Sequence, residues 1–527
     1  MPYTKAMERR LPIGIQDFAK IREGGYVYAD KTACIHQLIT GSEGAFFLSR
    51  PRRFGKSLLC STLGAIFEGR RELFNGLAID SLGWGWKKHP VIRIDLNPGD
   101  YSEGITTLKE TIRDALEYSA TSLGLTLRGE APSSQFINLI RDAHQKYGER
   151  VVVVIDEYDK PLLSTIDMEK LRSDMVKALK GFYGVLKTAD AHLKFVFLTG
   201  VTKFSHVSIF SDLNHLTDMT LDPDYADICG ITQEELEAGF APEIESVLEK
   251  TGKSRGGYLE ELRRFYNGYR FSRKPLKVYN PFGLLNHFES GEFSSYWYET
   301  GTPTFLTKLI VEQKINIVEL GKMRVGSDDF RKYDIEDMEA VPLLYQAGYL
   351  TISDYDEGRK RFALDYPNEE VRSSFAKSLL KQYLRISAGK SSSLSGRLTD
   401  ALHGGDVDGA MGALRSFLAS VPYDIISESE NYYQTAVHLI FTMLGFDCRS
   451  EVRIAAGRID ALVETESMVF CFEFKLDKSA EEALAQIDTK EYLLPWTGSG
   501  KRLFKVGVDF DHGKRNIGEW KAVEVSA

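Results

Sequence analysis

Cysteine is scarce in this chain and offers no chemistry by its spacing. Five cysteines (Cys34, Cys60, Cys229, Cys448 and Cys471) are scattered over 527 residues, odd in number and with no CxxC pair. That pattern excludes a cysteine-based zinc site and a disulfide framework, and a reducing compartment is the natural reading. Long apolar runs are also lacking: none approaches the roughly 20 residues that a membrane-spanning helix requires. Met1 to Arg10 is polar and charged, without the apolar segment of a secretory leader. Nor is there an excess of positive charge. With 66 Lys and Arg against 75 Asp and Glu, the net charge is −9. This argues against a general electrostatic grip on nucleic acid but leaves room for a local basic groove. No internal repeat of fixed period is found. These absences lead us to expect a soluble, cytoplasmic protein with no membrane partner.

The composition is otherwise ordinary for globular proteins, 43% apolar and 27% charged, and the length suits roughly two to four domains. The stretch Ser49-Arg50-Pro51-Arg52-Arg53-Phe54-Gly55-Lys56-Ser57-Leu58-Leu59 organises the rest. An apolar run, Ala45 to Leu48, precedes it and reads as a buried strand; Leu58 to Phe67 follows with helical periodicity. Strand, tight loop, Gly-Lys-Ser and helix form the layout of a phosphate-binding loop. Gly55 permits a tight turn, and backbone N–H groups at the helix start face the anion. Lys56 reaches the β- and γ-phosphates, and the Ser57 hydroxyl ligates Mg²⁺. Arg50, Arg52 and Arg53 are read as further phosphate donors, and Phe54 and Leu58 as the remaining nucleotide-contacting positions. The general pattern has glycine where Arg50 stands, so the tripeptide alone does not decide the matter.

A second run, Val151-Val152-Val153-Val154-Ile155-Asp156-Glu157, is unbroken and apolar up to two carboxylates, as suits a parallel strand covered on both faces. Ligands of such sheets sit beyond the carboxyl ends of the strands, which puts Asp156 and Glu157 near Lys56 and Ser57. Asp156 is then a Mg²⁺ holder and Glu157 the residue that orients or deprotonates water. Further strands are expected at 91–96, 193–200 and 216–221, and helices at 104–123, 133–147 and 168–188. Thr199, at the end of the fourth strand, or Thr202 just after it, sits where a polar group senses the γ-phosphate or positions water; the plainer reading is that Thr199 only ends the strand. From Thr232 the pattern turns helical, a lid on the nucleotide site. The aromatic stretches 266–271, 278–282 and 296–303 suit either base stacking or a core, and core is favoured. Residues 304–420 read as mainly helical, with a small sheet near 348–366.

The last hundred residues carry another constellation. Glu430 to Leu444 reads as an amphipathic helix. Gly457 to Val463 and Met468 to Lys475 read as two antiparallel strands. A turn centred between Thr465 and Glu466 pairs Asp460 with Cys471 and puts Asp460, Glu473 and Lys475 on one face. A slip of one residue would part them. Asp460 and Glu473 would hold Mg²⁺ while Lys475 activates water or steadies the leaving charge. Glu430, or less favourably Glu428, is a candidate extra carboxylate. Gln486, on a helix expected over 480–494, points back toward the site.

With these motifs in hand, residues 8 to about 210 resemble the AAA-ATPase-like branch of the P-loop ATPases. Tyr28-Ala29-Asp30-Lys31-Thr32, Arg50-Pro51-Arg52-Arg53-Phe54-Gly55-Lys56-Ser57, Ile155-Asp156-Glu157 and Leu198-Thr199-Gly200-Val201-Thr202-Lys203-Phe204-Ser205 carry the likeness. Arg50 is usual within that branch. Residues 425–527 resemble the PD-(D/E)XK nuclease superfamily through Gly457-Arg458-Ile459-Asp460 and Glu473-Phe474-Lys475, with Gln486 and Tyr492 after them. The expected fold is α/β: a P-loop ATPase parallel sheet over 8–222, a helical lid and middle region over 223–424, and a restriction-endonuclease-like domain over 425–527. The resemblance implies ATP and Mg²⁺ as cofactors and nucleic acid as partner, DNA or RNA undecided. It leaves a homo-oligomer open. The rival reading is a nucleotide-controlled switch whose nuclease-like domain binds without cleaving.

Overall fold

The computed structural model describes residues 10–41, 44–203, 216–300, 304–326, 339–384, 388–421, 430–444, 447–454 and 457–525. Glu428, Phe204, Ser205 and the Gly301–Pro303 end of the third aromatic stretch lie outside them. The chain forms two compact units, one of residues 1–297 with 323–368 and the other of 298–322 with 369–527. The middle segment 223–424 is therefore divided between the two.

The first unit is built on a five-stranded parallel sheet. Its strands are β1 (Gly44–Ser49), β2 (Val91–Asp95), β3 (Val151–Asp156), β4 (Leu193–Gly200) and β5 (Leu216–Asp218), in the order β2-β3-β4-β1-β5. Parallel neighbours need crossovers, and helices supply them: Lys56–Phe67 after β1, Ile105–Ser122 and Pro132–Tyr147 before β3, and Glu169–Thr188 before β4. Helices on the faces explain why Val151 to Ile155 are wholly buried. Phe195 stacks on Phe46 and packs against Phe67, tying β4, β1 and the first crossover helix together.

A satellite core lies beside this sheet. Val27 and Ile231 cluster there with Leu236, Ile244, Tyr258, Leu262 and Tyr266 of the helices Gln233–Gly239, Ala241–Thr251 and Arg255–Tyr266. Thr232 starts the first of these with a capping box, its side chain accepting from Glu235 N while Glu235 accepts from Thr232 N. The Glu235 carboxylate also takes the Lys31 amine at 2.6 Å, which pins the 26–32 segment to the helical group. A small antiparallel sheet completes the unit: β6 (Arg324–Gly326), β7 (Thr351–Asp356) and β8 (Arg361–Asp365), in the order β6-β8-β7.

The second unit carries the helices Glu369–Leu384, Ala388–Gly404, Val407–Leu418 and Glu430–Met443, and a mixed sheet. That sheet contains β9 (Asp447–Ile454), β10 (Gly457–Glu464), β11 (Met468–Leu476), β12 (Arg502–Asp511) and β13 (Asn516–Val525), in the order β13-β12-β11-β10-β9. Only β11 and β12 run parallel, joined by a crossover containing the helix Ala480–Thr489. Alternation along β11 sorts its faces. Phe470, Phe472 and Phe474 point one way; Phe472 meets Phe441 of the helix Glu430–Met443. The opposite face carries Cys471, Glu473 and Lys475.

Candidate functional site

The first candidate site is assembled at the carboxyl ends of β1 and β3. After β1 the chain runs through an irregular loop that ends at Gly55, the N-cap of the helix Lys56–Phe67, with φ +91°. A side chain at that φ is strained, so glycine lets the helix begin right after the turn. Arg53 also has positive φ, +64°. The Lys56 side chain turns back under the loop: its amine donates to the Pro51 carbonyl at 3.3 Å and lies 3.5 Å from the Glu157 carboxylate. Glu157 reaches it because the chain flips to φ +51° directly after β3. In a regular strand, neighbours 156 and 157 would face opposite ways.

Asp156 lies beside the same helix start, hydrogen-bonded to the Ser57 side chain. Burial, then the Glu157 charge, pushes its carboxyl up to about 7; Ser57 and Lys56 pull the other way. Asp95, the register partner of Asp156 on β2, is likewise raised by burial and by Glu157. It was not singled out from the sequence, because the pairing of β2 with β3 cannot be read along the chain.

The second candidate site lies on the face of β10 and β11 opposite the phenylalanines. The register differs by two residues from that expected: Cys471 pairs with Leu462, not Asp460. The cause is the turn, which closes between Thr465 and Met468, with Thr465 N donating to Met468 O at 2.8 Å. A slip of two preserves the face, and continuing the ladder one step puts Asp460 opposite Glu473. Asp460 Oδ2 accepts from Phe474 N at 2.9 Å, and Lys475 Nζ donates to Glu473 Oε1 at 2.7 Å. Glu473 is 1% exposed. Burial raises the Cys471 thiol pKa, helped by Glu473 and Asp460, as expected if all three share one face. Gln486 Nε2 reaches the Tyr492 hydroxyl at 3.3 Å, and that hydroxyl in turn feels both carboxylates. The helix bearing Gln486 stops at Thr489, short of the expected 494, and a separate 3₁₀ turn spans Leu494–Trp496.

Residues 12–210 match the family described as Predicted AAA-ATPase, and residues 428–520 match the PD-(D/E)XK nuclease superfamily. An uncharacterized protein in the vnfD 5'region of Azotobacter chroococcum mcd 1 is 39% identical over 521 residues, covering 97% of this chain and 98% of that protein. The chain belongs to the AAA-ATPase-like proteins with a C-terminal PD-(D/E)XK nuclease-superfamily domain. It is thus an ATPase-like and nuclease-like protein by its domains.

Within this AAA-ATPase-like unit two sequence expectations change. Arg50 does not offer its guanidinium to a ligand. It is 1% exposed, donates to the carbonyls of Ser49, Thr220 and Tyr225, and lies 4.3 Å from the centre of the Phe271 ring. Burial of a cation is tolerated there because oxygen dipoles and an aromatic face replace water. Thr199 is fully buried, and its hydroxyl donates to the Leu48 carbonyl at 2.9 Å, stitching β4 to β1. A hydroxyl engaged in this way does not serve as the expected γ-phosphate sensor. Thr202 is engaged as well, donating to Asp159.

Arg52 and Arg53 remain exposed on the loop, with Arg53 over the Phe282 ring. Phe54 is buried edge-on against Tyr269 and Phe271. Leu58 and Gly55 line an apolar cavity of about 100 Å³ together with Val27, Ala29, Ile231 and Leu285. Glu430 opens its helix. Tyr433, one turn on, stacks on Phe510, so that end of the helix lies at the Lys475 end of the sheet. The Glu430 side chain lies outside the described residues.

Asp159 is the residue that sequence reasoning missed most clearly. Fully buried, it accepts from Val201 N, Thr202 N and the Thr202 hydroxyl, anchoring the loop after β4 to that after β3. Its signal was the third carboxylate in Asp156-Glu157-Tyr158-Asp159. Among the described residues, no three His, Cys, Asp or Glu side chains converge as a ready-made metal cage. Each site offers hard oxygen donors: Ser57 and Asp156 in one, Asp460 and Glu473 in the other. Such sparse oxygen sets suit Mg²⁺, which keeps waters and substrate oxygens in its shell. Among the described residues no helix is long and apolar enough to cross a membrane.

Proposed function

We propose that the first unit binds and hydrolyses ATP and that the second cleaves nucleic acid, each with Mg²⁺. The supporting observation is shared by the two units: a lysine amine lies within 3.5 Å of a carboxylate that has a second carboxylate beside it. In the first unit, Lys56 neutralises the β- and γ-phosphates, and the backbone N–H groups around Gly55 face them. The apolar cavity beside Leu58 takes the base. Ser57 and Asp156 would hold the cation, which would supply positive charge beside the phosphates. Glu157 takes the proton of the attacking water.

In the second unit, Asp460 and Glu473 hold the cation. When bound, Mg²⁺ supplies Lewis acidity at the scissile phosphate. Lys475 orients water and steadies the developing charge, and burial around Glu473 strengthens both effects. The Phe474 N–H fixes the Asp460 carboxylate so that it does not have to be ordered on binding.

The test uses the purified full-length chain with Mg²⁺, ATP and labelled single- and double-stranded DNA and RNA, alongside Lys56→Ala and Glu473→Gln. The expected result is phosphate release that Lys56→Ala abolishes and strand cleavage that Glu473→Gln abolishes. Cleavage that persists in Glu473→Gln rejects the nuclease assignment. Retention of nucleic acid on filters without cleavage by the wild type would favour the binding-only reading, to which the net charge of −9 also lends some weight.

A further inference from the structure

Residues of the aromatic stretches of the middle region, read from the sequence as core, surround the phosphate loop. Trp297 is 5% exposed, and its indole N–H donates to the Arg52 carbonyl at 2.9 Å. Its ring lies against Tyr269, which packs edge-on against Phe54, and against Tyr349. Gly348 fills the remaining corner with φ +89°: a Cβ there would come within 2.8 Å of the Pro51 side chain and 3.3 Å of the Trp297 ring. Just before it, the Gln346 side chain accepts from Lys203 N at 3.0 Å, and Lys203 pairs with Asp218 at 2.5 Å. The segment 346–349 therefore braces the loop after β1 and the loop after β4 together.

We propose that Trp297, backed by Gly348, is a positioning residue that holds the Pro51–Gly55 backbone in its phosphate-gripping conformation. The physical need is clear. A loop with positive φ at both Arg53 and Gly55 does not hold its shape by local preference. Its N–H groups grip an anion well only if they are already aimed at it. The Arg52 peptide lies in the middle of that run. A donor fixed on its carbonyl sets the plane of the Arg52–Arg53 peptide and hence the direction of the Arg53 N–H. Trp297 touches no phosphate itself. The proposal deepens the nucleotide reading of this site and rests on it for the ligand, though not for the loop.

The test is Trp297→Phe, which keeps an aromatic ring but removes the donor together with part of the indole. In the free full-length protein, amide hydrogen exchange should rise in peptides covering 50–57 and stay unchanged over 228–240, which also borders the cavity. The dissociation constant for Mg·ATP should rise about fivefold, the size expected for one lost hydrogen bond. Unchanged exchange over 50–57 overturns the proposal. So does a rise spread evenly over the whole unit, since that marks a merely structural residue. If Trp297→Phe does not fold, Gly348→Ala takes its place, with the same local signature expected and the same results overturning it. Wild-type protein that fails to bind Mg·ATP overturns the nucleotide reading, while the exchange pattern still decides whether Trp297 holds the loop.

Discussion

The two sites solve one problem by opposite means. Each must bring carboxylates and a lysine together in a partly dry place. In the second unit, a hairpin does it locally. Asp460, Glu473 and Lys475 come from adjacent strands, and the period of two puts them on one face whichever even register the turn selects. In the first unit, Lys56 and Glu157 are 101 positions apart, brought together by two parallel strands with β4 between them. Asp156 and Glu157 are chain neighbours that face the same loop only because Glu157 leaves the strand with φ +51°. A hairpin site tolerates a register error of two; a crossover site depends on the packing of the whole sheet.

This contrast can be broken by experiment, starting with the largest expected effects. Glu473→Gln should cut Mg²⁺-dependent cleavage by at least about a hundredfold while leaving ATP hydrolysis intact, measured on the same sample. Lys56→Ala should do the converse, lowering ATP turnover by about a hundredfold and leaving the melting transition of the second unit in place. If either variant abolishes both activities, the two sites do not work independently.

Arg50→Ala should destabilise the first unit by about 2–4 kcal/mol in denaturant unfolding, because three carbonyls lose their donor. Arg52→Ala, on the exposed side of the same loop, should change stability by less than about 0.5 kcal/mol. Equal effects of the two would return Arg50 to the role of phosphate donor. Gly200→Ala should cost about 1–3 kcal/mol, since its Cβ would lie 2.3 Å from Asp159 Oδ1 and 2.6 Å from the Tyr158 ring. Phe474→Leu, between Glu473 and Lys475 but on the opposite face of the strand, should cost less than about 1.5 kcal/mol and leave cleavage measurable.

Much of this was legible in the residues. Val151 to Ile155 reads as a doubly covered strand because nothing polar interrupts it. The helix Glu169–Thr188 was expected to within one residue at its start because its apolar spacing is regular. The hairpin turn was misplaced by one position, since Thr465-Glu466-Ser467 contains no glycine or proline to mark its centre, and Thr465 itself closes the turn. The Arg50 and Thr199 expectations failed for a common reason. A polar residue in a binding motif looks available until the strands and loops that consume its hydrogen bonds are placed around it.

The amino-acid sequence by itself determined the parts: which runs are strands, where a loop must turn tightly enough to need Gly55, and that Asp460, Glu473 and Lys475 share a face. These follow from local periodicity and backbone sterics, which act between residues close along the chain. Tertiary structure alone decided the partners. It set Trp297 on the Arg52 carbonyl, Asp159 under the Val201–Thr202 loop and Glu235 on Lys31, because side chains far apart in sequence meet only after the apolar surfaces between them have been buried.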